Sequence, residues 1–92
     1  MPSTKDTIAS LLLESFTPEK LEIRDDSAKH TEHIETELDI SHLSIFIVSK
    51  KFEGLSLVNR QRAINKILQP FFDKGLHAVQ LNTKTPKEYH GK

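Results

Sequence analysis

Residues 43–49, Leu-Ser-Ile-Phe-Ile-Val-Ser, decide the fold. After Ser44 the run is apolar and β-branched at consecutive positions, which suits a central strand covered on at least part of both faces. Lys50-Lys51-Phe52-Glu53-Gly54 then turns the chain. Ser56 is placed to cap a helix whose buried stripe is Leu57, Ile64, Ile67, Leu68 and Phe71. Pro70 is a kink point and Gly75 the terminator, while Arg60 and Arg62 fall off the stripe. Beyond Gly75, His77, Val79 and Leu81 alternate with Ala78 and Gln80 as the two faces of another strand. A strand, a helix and a strand in that order predict a parallel crossover.

Upstream, Ser3 or Thr4 can cap a helix carrying Ile8, Leu11, Leu12 and Phe16, with Asp6 in its first turn and Thr17-Pro18 as its stop. Leu21 and Ile23 alternate with Glu22 and Arg24, which predicts a short half-buried strand antiparallel to the central one. Residues 27 to about 41 are polar and acidic without a clear period and read as a long exposed loop, a feature that usually binds something or is disordered. Downstream, Thr85-Pro86 supplies an N-cap and a first-turn proline for a terminal helical turn with Glu88 and Tyr89. The expected product over residues 1–92 is one domain, a small α/β sandwich with a three-stranded mixed sheet and helices packed on it.

Ninety-two residues enclose one small core, too little for a deep active-site cavity, so an enzyme is disfavoured. No nucleophile elbow, phosphate-binding loop, dinucleotide fingerprint or zinc helix is present, and the grouped carboxylates lack the burial that acid–base work needs. The absence of cysteine rules out a disulfide framework and an internal thiolate cluster, in keeping with a reducing compartment. No apolar run is long enough to span a membrane, and Asp6 and Glu14 argue against a transit peptide, so a cytoplasmic protein is expected. Net charge is zero, yet residues 1–46 hold four Lys/Arg against ten Asp/Glu and residues 47–92 hold nine against three. Two readings stay open: a molecular dipole that orients partners, or charges that interleave in space and cancel.

Five histidines remain as candidates for chemistry. His77, at the mouth of a strand just past a helix-ending glycine, reads either as a half-buried residue bonded to backbone or as a metal ligand held on a rigid element. His30 and His33 lie in the acidic loop, where two solvated histidines need no further explanation. His42 reads as structural, and His90 as solvent-exposed near the chain end.

Phe52-Glu53-Gly54, Leu57-Val58-Asn59-Arg60-Gln61-Arg62, His77-Ala78 and Thr85-Pro86-Lys87-Glu88-Tyr89, in that order, resemble the BolA family. The resemblance extends from about Leu21 to Tyr89, with two departures: Gln61 stands where the family usually has histidine, and Tyr89 where it usually has tryptophan. It implies a KH-like fold and a non-enzymatic partner protein. BolA-like proteins form heterodimers with monothiol glutaredoxins and share a 2Fe–2S cluster, to which the glutaredoxin side brings a cysteine and a glutathione thiolate. On that resemblance His77 is the fixed ligand and His30 or His33 the second one. Imidazole in place of thiolate removes negative charge from one iron, which should raise its potential, and makes ligation pH-sensitive because protonated imidazole cannot bind metal. Alone, such a chain is expected to be a monomer or weak homodimer.

The alternative from another class is a KH-like nucleic-acid-binding transcriptional regulator that meets DNA through Lys50, Lys51, Arg60, Arg62 and Lys66. Against it, the turn Gly54-Leu55-Ser56-Leu57 has one glycine where the KH clamp needs two, and zero net charge weakens non-specific binding.

Overall fold

The computed structural model describes residues 3–26 and 40–91. Helix α1 (Thr4–Phe16) starts where the Ser3 hydroxyl accepts the Asp6 N–H at 3.1 Å. It ends at Thr17, whose N–H bonds the Leu13 carbonyl at 3.0 Å while its backbone sits in the left-handed region, at φ 39° and ψ 56°. A β-branched residue there is strained, because its Cβ crowds the backbone. Thr17→Gly is therefore expected to stabilise the fold by about 0.5 kcal/mol, the strain relieved less the extra freedom of an unfolded glycine. Urea denaturation would show it, and a loss of stability would mean that the threonine side chain makes a compensating contact.

Strand β1 (Lys20–Asp25) pairs antiparallel with β2 (His42–Val48), Ile23 opposite Ile45. Strand β3 (Ala78–Lys84) pairs parallel on the other side of β2, with Leu81 opposite Ile45, so the sheet order is β1-β2-β3. This is the expected three-stranded mixed sheet. Between β2 and β3 the chain makes a 3₁₀ turn at Lys50–Phe52 and helix α2 (Leu57–Asp73), capped by the Ser56 hydroxyl on the Asn59 N–H at 3.2 Å. Pro70 lies inside α2, which runs on to Asp73. Gly75, at φ 115°, then takes a conformation closed to other residues and turns the chain into β3. Thr85 and Glu88 cap the last helix, α3 (Pro86–His90), reciprocally: the Thr85 hydroxyl accepts the Glu88 N–H and the Glu88 carboxylate accepts the Thr85 N–H.

Alternation divides the sheet into two faces. Leu43, Ile45 and Ile47 of β2 face the core with Ile8, Leu12 and Phe16 of α1, Ile64 and Leu68 of α2, and Phe52. The opposite face carries Ser44 and Phe46, half-buried, with the Tyr89 ring of α3 tilted against Phe46, centroids 5.7 Å apart. Cover on both faces, as the sequence predicts for β2, is therefore partial on the second.

Four local expectations are corrected. Leu57 is 62% exposed, because it stands in the first turn of α2 before the helix reaches the core. Arg60, read as lying off the stripe, is buried. Strand β3 begins at Ala78 and runs to Lys84, so His77 precedes it and the inward face is Val79, Leu81 and Thr83. Ile40, counted in the exposed loop, is buried in the core at 3% exposure. The rest of that loop, residues 27–39, lies outside the described residues.

Candidate functional site

His77 is exposed, and its backbone is fixed. Its N–H donates to the Ser41 carbonyl at 2.8 Å, and the next N–H, of Ala78, donates to the same oxygen at 3.2 Å. Because β2 and β3 are parallel, their first residues lie together, and His42 stands directly opposite Ala78. The His42 ring, buried at 9% exposure, meets the His77 ring edge-on with centroids 5.3 Å apart and planes at 62°. One imidazole is thus inside and the other outside at one end of the sheet.

The same end holds the close of β1. Asp26 donates its N–H to the His42 carbonyl at 2.9 Å. Its carboxylate accepts from Arg24 Nε at 2.7 Å and from the Ser44 hydroxyl, and Ser44 lies 3.4 Å from Gln80 Oε1. A polar row therefore ties all three strands together on the face away from the core. His30 and His33 fall outside the described residues. Among the described residues no three His, Cys, Asp or Glu side chains come together as a metal-binding group.

The basic candidates lie elsewhere. Lys50 and Lys51 follow the last residue of β2, so the length of that strand, roughly 20 Å, separates them from the His77 end. Both are exposed, and the Lys51 ammonium donates to the Ser15 carbonyl at 3.0 Å. Arg62 and Lys66 are exposed one turn apart on α2. Arg60 does not join them: its guanidinium turns inward, donating to the Leu55 carbonyl at 3.1 Å and to Glu88 at 2.7 Å. The Glu88 carboxyl is held down at about 2, first by Arg60 and then by the Thr85 N–H. Of the five cations in the expected patch, four are offered to solvent and one holds α3 against α2.

Charge is mixed at both ends of the sheet. Asp25 and Asp26 stand at the His77 end together with Arg24 and Lys74, while Lys50, Lys51, Lys84 and Lys87, where β2 and β3 finish, have Glu19, Glu53 and Glu88 among them. Among the described residues the charges of the two halves of the sequence thus largely interleave. Sequence reading treats His42 as structural and misses its contact with His77, because the signal is a cross-strand register that no spacing along the chain displays.

Comparison with known proteins agrees with this geometry. The family model described as BolA-like protein matches residues 12–88. An uncharacterized Sinorhizobium protein from the cobS 5′ region is 43% identical over 89 residues, covering 94% of this chain and 95% of that one. The DNA-binding transcriptional regulator BolA of Escherichia coli K12 is 33% identical over 87 residues, covering 95% and 80%. Among solved structures, BolA1 from Arabidopsis thaliana is similar with a TM-score of 0.86 at 34% identity, covering 96% of this chain and 97% of that one. With sequence and backbone in agreement over nearly its whole length, the chain belongs to the BolA-like family.

Proposed function

We propose that this protein is a non-enzymatic partner of a monothiol glutaredoxin and supplies histidine nitrogen to a 2Fe–2S cluster that the two chains share. The observation that carries the reading is His77, an exposed imidazole on a backbone pinned by two hydrogen bonds at the end of the sheet. The residues fit a shared group better than a resident one. The chain has no thiolate, and its described residues form no group of three ligands, so one held imidazole suits a cluster whose sulfur ligands come with the partner and its glutathione. His30 or His33 is proposed as the second nitrogen ligand. When bound, the cluster supplies one-electron chemistry and a visible chromophore; this chain's part is to present His77 to solvent without rearranging its backbone. A cytoplasmic setting belongs to the same proposal.

The test is to mix the protein with cluster-loaded monothiol glutaredoxin and record visible circular dichroism. Wild type should change the spectrum and His77→Ala should abolish the change. An identical change with both proteins would overturn the reading.

The name of the E. coli relative supports a second reading, nucleic-acid binding through Lys50, Lys51, Arg62 and Lys66. That surface predicts duplex binding that falls steeply with salt and weakens in Lys51→Ala but not in His77→Ala. The distance between the two ends of the sheet makes the two experiments independent.

A further inference from the structure

We infer that His42 is a positioning residue for His77: packed beneath it, the buried ring limits the directions in which the exposed ring points. The inference rests on the proposed role of His77 and deepens it. Three observations meet here. The backbone of His77 and Ala78 hangs from the carbonyl of Ser41, the residue next to His42, so the two imidazoles start from fixed points on neighbouring strands. The residue directly across the ladder from His42 is Ala78, whose methyl group is the smallest side chain with a Cβ, so the space beside the His42 ring is not filled by its own cross-strand partner. Into that space comes the ring of His77, edge-on at 5.3 Å, a favoured geometry for aromatic pairs.

The consequence is entropic. A solvent-exposed histidine on a strand end samples several χ1 rotamers, and a partner that needs one of them must bear the cost of selecting it. A buried ring on one side removes some of those rotamers before the partner arrives. His42 itself is held by burial and by its backbone, since its carbonyl accepts the Asp26 N–H at 2.9 Å. It acts through His77; ligation by His42 is no part of the inference.

The experiment measures the His77 χ1 distribution by three-bond side-chain couplings in the free protein, for wild type, His42→Ala, His42→Phe and Ala78→Val. Wild type should show one dominant rotamer. His42→Ala should move the couplings toward the rotamer average, and His42→Phe, which keeps an aromatic edge, should restore them. Ala78→Val adds two methyl groups across the ladder from His42, where they compete with the His77 ring for the space beside it, in a β-branched residue well suited to a strand, and should shift the His77 couplings without unfolding the sheet. It therefore keeps the test decisive where His42→Ala destabilises the fold. Visible circular dichroism of the heterodimer with cluster-loaded monothiol glutaredoxin should follow the same order, with loss of intensity in His42→Ala and recovery in His42→Phe. Unchanged His77 couplings in both His42→Ala and Ala78→Val would overturn the inference. A wild-type protein with an ordered His77 but no spectral response to the glutaredoxin would instead sink the partner reading and leave the positioning role standing.

Discussion

Truncation of Ile47 to alanine is expected to lower the unfolding free energy by about 3 kcal/mol, within the usual range for removing most of a buried isoleucine side chain. Ile47 is fully buried in the middle strand of the sheet, and the same cluster holds α1 and α2 through Ile8, Leu12, Ile64 and Leu68, all at 0% exposure. A cavity opened there has no edge from which water or a flexible side chain can fill it, so the transfer loss and the void both count. In a domain of this size such a loss corresponds to a fall in melting temperature on the order of 10–20 °C. Thermal and urea unfolding of Ile47→Ala would check both figures. A change below about 1 kcal/mol would mean that the two helices collapse onto the sheet more readily than the packing suggests.

The strand and helix part of that core was legible from apolar spacing, whereas Ile40, Phe52 and Leu76, in the connections, were not. Leu43 to Ser49 read as a middle strand, observed at His42–Val48, and Ile64 and Leu68 as the inner face of the crossover helix, from apolar spacing and from the residues that punctuate it. Capping chemistry was equally local: Ser3, Ser56 and Thr85 each accept an N–H three residues on, as short side-chain hydroxyls before a helix do. Strand directions followed from the kind of connection, since the helix between β2 and β3 suits a parallel crossover and the loop between β1 and β2, long as it is, leaves antiparallel pairing the simplest.

The site was less legible, for reasons that can be named. Exposure of His77 depends on β3 starting one residue later than the alternation predicts, because two N–H groups converge on the single carbonyl of Ser41 and hold His77 at the strand mouth. Spacing cannot reveal a bond between residues 36 positions apart. Arg60 misled in the other direction. A cation among exposed helix positions reads as solvated, yet the Leu55 carbonyl and Glu88 draw it inward, and Glu88 is on an element that appears only after β3 is complete. Long aliphatic stems allow such residues to be buried while keeping their heads bonded, so charge by itself is a poor guide to which side of a helix they serve.

Arg60→Ala should accordingly behave as a stability mutant rather than a binding one. The substitution removes a guanidinium whose side chain is 8% exposed, together with its bonds to the Leu55 carbonyl and Glu88 and its approach over the Phe52 ring at 5.9 Å. The expected destabilisation is on the order of 2 kcal/mol from the lost packing and the carbonyl left without its donor. The Glu88 partner gives this contact a pH signature. Its carboxyl ionises at about 2 in the folded protein against 4.5 for the unperturbed group, chiefly because Arg60 and then the Thr85 N–H stabilise the anion. A lowered folded-state value means that the unfolded chain takes up the proton first. The stabilisation is therefore fully present above about 4.5 and disappears as pH falls from there to about 2. Because the Glu88 side chain is 44% exposed, the effect should shrink as salt is added. Urea unfolding of wild type and Glu88→Gln between pH 5 and pH 2 would isolate it: the gap between the two proteins should be widest at pH 5 and close toward pH 2. A gap that stays constant across that range would show that the carboxylate charge contributes nothing, and that α3 is held by the Thr85 cap and the contact of Tyr89 with Phe46 alone.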